Sequence, residues 1–144
     1  MTASANLEKT MFKLVPSVCS YCGTGCGVLF EVLDGRLLGT LRLKTHPVNQ
    51  GKLCIKGWNL HEFVNSPMRL RAPLAKINGR LREVTWDRAI QFAAGKLQNI
   101  IAEHGPNSVG VLASAKVTNE ENYLLQKFAR AVVGTNNVDH CARL

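Results

Sequence analysis

Cys19-Ser20-Tyr21-Cys22-Gly23-Thr24-Gly25-Cys26-Gly27-Val28, followed after a β-patterned insert by Lys52-Leu53-Cys54-Ile55-Lys56-Gly57, is the stretch around which the 144-residue chain is organised. The cysteines are spaced C-x2-C-x3-C-x27-C, so three thiols share one short loop and the fourth closes the site from a distance. Four thiolates hold either a cubane iron–sulfur cluster or a single zinc, commonly with backbone N–H groups directed at the sulfurs. Gly23, Gly25 and Gly27 allow such close wrapping, because a residue without a Cβ adopts φ > 0 freely. A structural zinc site more often uses two C-x2-C knuckles, and the second half of this pattern offers Cys54 alone. The three-plus-one arrangement therefore favours [4Fe–4S] over zinc, with a set of buried or disulfide-bonded thiols as the third alternative.

Working outward, residues 1–14 read as an N-terminal tail running into a first strand at about Lys13–Val18. Val28–Leu33 alternates as a strand, Asp34-Gly35 is a hairpin turn signal, and Arg36–Leu43 is the returning strand. This hairpin lies between the third and fourth cysteines and brings Cys54 back to the other three. Thr45–Gly51 is a loop by composition, and Cys54–Val64 starts as a short helix that sets Lys56 about half a turn from Cys54. A lone lysine is ordinarily a surface charge. His46, His61 and His104 form no ligand pair by spacing and read as ordinary surface or loop residues, while Trp58 and Trp86 read as core anchors.

Asn65-Ser66-Pro67 and the arginines after it mark a boundary near residues 66–72, giving a cluster domain over 15–68 and the incomplete beginning of a second domain over 69–144. There Leu74–Ile77, Asn78-Gly79 and Arg80–Val84 predict a second hairpin. Thr85 caps a helix through about Glu103, with Asp87 in its first turn and Ile90, Ala93, Leu97, Ile100 and Ile101 as its buried face. Gly105-Pro106 stops it. Ser108–Ser114 suits a buried parallel strand, and Thr118-x-x-Glu121 is a capping box opening a helix to about Val133, with Gly134 just beyond. This order places Ala115–Asn119 at the carboxyl end of a strand, where α/β sheets bind ligands. Asn119 and Asn122 are accordingly weighed as cofactor-binding residues against the plainer reading of a capped helix. Walker and Rossmann glycine fingerprints are absent from the sequence. The fold class is α/β (α+β overall): a small β-rich cluster domain followed by the start of an α/β domain.

The length suits one ordinary domain or two small ones, with a 46% hydrophobic fraction typical of soluble chains. No apolar run approaches a membrane span and no secretory or twin-arginine signal opens the chain, so a cytoplasmic location is expected. Five cysteines, an odd number, suit a reducing compartment better than a disulfide framework. Of the net charge of +8, residues 36–96 carry twelve Lys/Arg against three acids, or +9. Such a segment is a solvated basic face, a nucleic-acid surface, or a face toward an anionic cofactor or acidic partner. No nucleic-acid-binding signature accompanies it, so nucleic acid is set aside as a partner.

The C-x2-C-x3-C loop, the later Cys54-Ile55-Lys56-Gly57 and the terminal TNEENYLLQKFARAVVGTNNVDHCARL together resemble the N-terminal part of a molybdenum or tungsten bis-pterin oxidoreductase. Within that superfamily they most resemble the catalytic (alpha) subunit of a formate dehydrogenase. The resemblance covers nearly the whole chain after the first dozen residues. It implies a [4Fe–4S] cluster on Cys19, Cys22, Cys26 and Cys54, and, in the complete enzyme, bis-molybdopterin guanine dinucleotide with Mo or W. It implies that Lys56 lies between cluster and pterin and helps electron transfer, and that the basic segment faces the pterin phosphates. The partners it implies are the remainder of the catalytic subunit and iron–sulfur, NAD- or ferredoxin-linked, or hydrogenase electron-transfer subunits. In such enzymes a cysteine or selenocysteine that ligates the metal follows Cys-Ala-Arg-hydrophobic. That position would be 145, so a UGA codon read as stop after Leu144 is the expectation, with a fragment or a separate subunit as the other possibility. Cys141 is out of register with that ligand and reads as a buried thiol. A stand-alone, non-catalytic iron–sulfur electron-transfer subunit and a nitrate reductase of the same superfamily are the alternatives.

Overall fold

Three antiparallel strands form the frame of the first half: β1 (Phe12–Val18), β2 (Gly27–Leu33) and β3 (Arg36–Arg42), in the order β1-β2-β3. The computed structural model describes residues 11–141, so residues 1–10 of the tail expected over 1–14, and the chain end at 142–144, lie outside the described residues. β1 starts at Phe12, one residue before the expected start. Its partner β2 turns into β3 at Asp34-Gly35, where φ is +48° and +79°. Both central residues are left-handed, as the twist of a two-residue hairpin requires. The Asp34 carboxylate accepts from the Met11 N–H at 2.8 Å, tying the start of β1 to this turn.

Cys54–Val64 holds two short helices rather than one: α1 (Ile55–Trp58), with Cys54 as its N-cap, and α2 (Leu60–Asn65), separated at Asn59. The Asn59 side chain donates to the Ile55 carbonyl at 2.8 Å, a local bond that competes with continuing the helix. Helix α2 lies against β3, where the Thr40 hydroxyl and His61 Nδ1 are 3.3 Å apart. The core beneath is small: Cys19, Val28 and Leu60, with Tyr21, Cys26, Phe30 and Leu53 packed against it. Trp58 is 39% exposed and is not the core anchor expected; Leu60, two residues on, takes that place.

A second compact unit spans residues 70–144, the first ending at Arg69. Its hairpin of β4 (Leu74–Ile77) and β5 (Arg80–Glu83) turns at Asn78-Gly79. Helix α3 (Trp86–His104) is capped by Thr85, whose side chain accepts from the Arg88 N–H. Strands β6 (Val111–Ser114) and β7 (Val138–Cys141) are parallel. They are linked by α4 (Asn119–Lys127), which opens on the complete Thr118/Glu121 capping box. The helix does not run uniformly to Val133: Phe128–Val133 is a π-helical stretch, closed by the Gly134 N–H on the Ala129 carbonyl at 2.9 Å. That i→i−5 bond is the wider π repeat, and Gly134 at φ +84° ends it in the left-handed conformation.

The expected buried face of α3 is open. No residue of α3 is buried, and Ile90 and Ile100 are 59% and 41% exposed. Across from Ile90, Ala93, Leu97 and Ile101 stand Phe128, Val132 and Val133, flanking an apolar groove of about 370 Å³. Spacing identifies which side of a helix is apolar, but coverage needs an opposing layer, and here that layer is one short stretch. Trp86, 68% exposed, is likewise no core anchor.

Candidate metal centre

The loop between β1 and β2 carries the first three cysteines. Its neck is closed where the Cys19 N–H donates to the Cys26 carbonyl at 2.8 Å, and its tip turns where the Gly25 N–H donates to Cys22 at 3.3 Å. Gly25 takes φ +63°, which the absence of a Cβ makes easy. Extended pairing on either side of an eight-residue excursion thus forces Cys19, Cys22 and Cys26 to share one small loop. The hairpin β2–β3 then returns the chain, and Cys54 sits at the head of α1 with its carbonyl accepting from the Trp58 N–H at 3.1 Å.

The thiols interact with one another through their charges. Burial pushes the Cys19 thiol up, the Tyr21 backbone opposes that, and Cys22 and Cys54 push further up while Lys56 pulls down. Burial also raises Cys26, with Cys19, Cys22 and Cys54 adding to it. Cys22 is held below its ordinary value, first by the Thr24 hydroxyl and backbone, with Lys56 contributing; its sulfur and the Thr24 Oγ1 are 3.4 Å apart. Cys19 and Cys26, whose ionisation is opposed by burial and by the neighbouring sulfurs, are stable as thiolates only beside a compensating cation. That donor chemistry fits an iron–sulfur group, and the half-buried Lys56 supplies a further positive charge to Cys19 and Cys22.

Among the described residues, no three His, Cys, Asp or Glu side chains are grouped closely enough to hold one metal ion.

Two residues that spacing did not single out hold this site together. The His46 ring occupies the place a side chain on Gly27 would need: a Cβ there would lie 2.3 Å from His46 Cγ. The Nδ1 of His46 is buried without a hydrogen-bond partner, so this histidine is not the ordinary surface residue expected. Asn49, buried, accepts from the Gly27 N–H at 2.9 Å and donates to the Gly27 and Lys52 carbonyls at 3.2 and 2.9 Å. His61, facing the buried Thr40, is also structural rather than incidental. Burial is a tertiary property, and His46-Pro47-Val48-Asn49 reads as loop by composition alone. Gly27→Ala should therefore destabilise the metal-free chain by about 1–3 kcal/mol, because the near end of the His46 ring cannot swing clear. Thermal denaturation would check this, and an unchanged midpoint would contradict it.

In the second unit, a cavity of about 310 Å³ lies beside the carboxyl ends of β6 and β7. Asn122, Gln126 and Arg130, spaced by four, line it from the helix, opposite Ser114, Asp139 and His140. Asn119 instead borders a separate depression with Glu120, Tyr123 and Leu124, so the two asparagines do not share one site. Cys141 ends β7 as an exposed residue and is not the buried one expected.

Comparison with known proteins agrees with this division. The family signature described as the molybdopterin oxidoreductase Fe4S4 domain matches residues 12–66, and that described as molybdopterin oxidoreductase matches residues 69–144. The F420-dependent formate dehydrogenase 1 subunit alpha of Methanococcus maripaludis is 55% identical over 90% of this chain and 19% of its own length. The F420-dependent formate dehydrogenase subunit alpha of Methanocaldococcus jannaschii is 47% identical over 92% of this chain, again 19% of its own length. The solved structure of acetylene hydratase from Pelobacter acetylenicus superposes with a TM-score of 0.68 at 28% identity, covering 87% of this chain and 18% of that one. The chain thus spans about a fifth of the length of the curated relatives it matches. With the Fe4S4 signature over residues 12–66 and the molybdopterin signature over residues 69–144 together spanning nearly all of it, the chain belongs to the molybdopterin oxidoreductases.

Proposed function

We propose that the chain serves as the cluster-bearing front part of a formate dehydrogenase catalytic subunit, with Cys19, Cys22, Cys26 and Cys54 as the cluster ligands. The observation that carries this reading is the placement of Cys19, Cys22 and Cys26 on one loop closed by the Cys19–Cys26 backbone bond, with Cys54 at the head of α1 and the charges of Cys54 and Lys56 acting on Cys19, in a chain whose relatives are formate dehydrogenase alpha subunits. When bound, a Mo or W bis-molybdopterin guanine dinucleotide centre supplies the two-electron formate/CO2 chemistry, and the [4Fe–4S] cluster carries electrons singly. The cysteines hold the cluster and limit its solvent access through the half-buried loop. Lys56 places a fixed positive charge beside the sulfurs of Cys19 and Cys22. Asn122, with Gln126 and Arg130, offers amide and guanidinium groups to the pterin from the cavity beside β6 and β7; Asn119 contributes from the neighbouring surface. The +9 segment at residues 36–96 complements a phosphate-bearing cofactor.

The partners of this reading are the remainder of the catalytic subunit and an electron-accepting subunit. The relatives' names make F420-linked chemistry one acceptor to test beside iron–sulfur, NAD-, ferredoxin- and hydrogenase-linked ones. A cytoplasmic setting suits an odd number of cysteines, five in all. No described helix is long and apolar enough to cross a membrane. Anaerobic purification with iron, sulfide, metal and pterin analysis tests the reading, with viologen assays on formate and nitrate once the rest of the subunit is present. The expected result is ~4 iron per chain and formate-driven reduction. Nitrate-driven turnover would move the assignment to a nitrate reductase, iron without pterin or formate turnover to an electron-transfer subunit, and zinc without iron would overturn each of these.

A further inference from the structure

The four cysteines lie on two segments that no covalent or strand pairing joins near the thiols: the loop at 19–26 and the head of α1. What spans the gap is the turn at residues 46–52. It is locked internally, the Gln50 N–H donating to the His46 carbonyl at 2.9 Å and the Lys52 N–H to the Asn49 carbonyl at 2.7 Å. From this frame the Asn49 side chain reaches both segments at once. Its Oδ1 takes the Gly27 N–H, and its Nδ2 gives to the Gly27 and Lys52 carbonyls. Gly27 follows Cys26 directly and Lys52 precedes Cys54 by two residues. The amide is buried, so water does not replace these bonds when they are lost. The His46 ring, packed on the Cα of Gly27, prevents the loop from sliding along the amide.

We infer that Asn49 is a positioning residue: by tying the Gly27 backbone to the Lys52 carbonyl, it fixes the spacing of the Cys26 and Cys54 thiols that the cluster requires. An ordinary loop-stabilising residue would contribute folding stability alone. A positioning residue also sets how firmly the fourth thiol is presented, so its loss acts on cluster retention beyond any loss of fold. Asparagine is specific here, since only a side chain with one acceptor and two donors matches one N–H and two carbonyls. Asn49→Asp keeps the shape and the acceptor but sets carboxylate oxygens against two carbonyls.

The inference rests on the four-cysteine cluster reading, and a native chain that holds no iron would sink that reading first. The test uses the full chain, purified anaerobically with its iron, and follows iron release to a ferrous chelator together with the cluster absorption. Thr40→Val is the reference, because it removes a part-buried hydrogen bond of the same unit, that to His61 on α2. Both Asn49→Ala and Asn49→Asp are expected to release iron at least about tenfold faster than Thr40→Val, with the metal-free forms still folded by circular dichroism. If Asn49→Ala yields no folded chain, the isosteric Asn49→Asp decides alone. Release from either folded variant no faster than from Thr40→Val overturns the inference. So does failure of both metal-free variants to fold while Thr40→Val folds, since Asn49 would then serve the fold itself.

Discussion

Replacing Cys54 with serine is expected to lower iron from ~4 per chain to below about 1, whereas Cys141→Ser leaves it at the native level. Three of the thiols share the loop closed by the Cys19–Cys26 backbone bond, but nothing on that loop can stand in for the fourth. Cys54 alone brings a sulfur from the other segment, and a serine hydroxyl is a harder, weaker ligand for iron held among sulfides. Cys141 is exposed at the end of β7, paired in register with Ser114 and belonging to the second unit, so it reports any iron held adventitiously by a cysteine outside the four-cysteine site. Colorimetric iron and the electron paramagnetic resonance signal of the reduced chain measure both variants. Native iron in Cys54→Ser, or loss of iron in Cys141→Ser, would show that the ligand set is misassigned.

The same substitution should also weaken the first unit as a fold. Among the described residues, Cys19, Val28 and Leu60 form its buried apolar cluster, and β1 is exposed along most of its length, with Phe12, Leu14, Val15 and Val18 at 41–55% exposure. A unit of this size with so small a core depends on additional ties. The cluster is such a tie, because ligands that meet only in the folded state turn binding energy into folding energy.

Local chemistry was legible in the sequence, and tertiary coverage was not. Asp34-Gly35 and Asn78-Gly79 turn where their residue types place them, at positive φ, since a two-residue hairpin leaves little choice. Thr85 and Thr118 cap the helices they precede, because capping is settled within four residues. The strand expected over Ser108–Ser114 is parallel, as helices on either side imply, but it is confined to Val111–Ser114, with Leu112 exposed, and its partner β7 carries no strand signal in the sequence. What failed depended on distant partners. The apolar stripe of α3 is a stripe, as its spacing implies, but is not buried, and Trp58, Trp86 and Cys141 lie outside the cores that other residues form. His46 and Asn49 escaped for the converse reason: polar residues in a seven-residue loop look solvated until the backbone of Gly27 is set against them. The π turn at Phe128–Val133 has a helical composition throughout, and only its closing bond distinguishes it.

Lys56→Met is expected to keep the iron content of the native chain while shifting the cluster's midpoint potential downward and cutting turnover of the complete enzyme at least tenfold. The ammonium favours the ionised sulfurs of Cys19 and Cys22, so it stabilises added negative charge at the same place. Removing it makes reduction less favourable, by an amount on the order of tens of millivolts, 59 mV being one tenfold change for a one-electron couple. A tenfold loss of turnover corresponds to ~1.4 kcal/mol of barrier. Retention of iron follows because Lys56 is no ligand and its helix is anchored by Cys54 at the cap and by the buried Gly57, which leaves only 3.2 Å between a would-be Cβ and Leu53. Lys56→Arg separates charge from geometry: it keeps the cation but spreads it over a planar fork that donates in different directions. A potential close to native in Lys56→Arg with reduced turnover would assign the kinetic effect to hydrogen-bond direction, and recovery of both would assign it to charge. Redox titration of the loaded chain followed by magnetic resonance gives the potential without recourse to activity. A Lys56→Met chain with native potential and native turnover would leave the lysine as a solvated neighbour of Cys54.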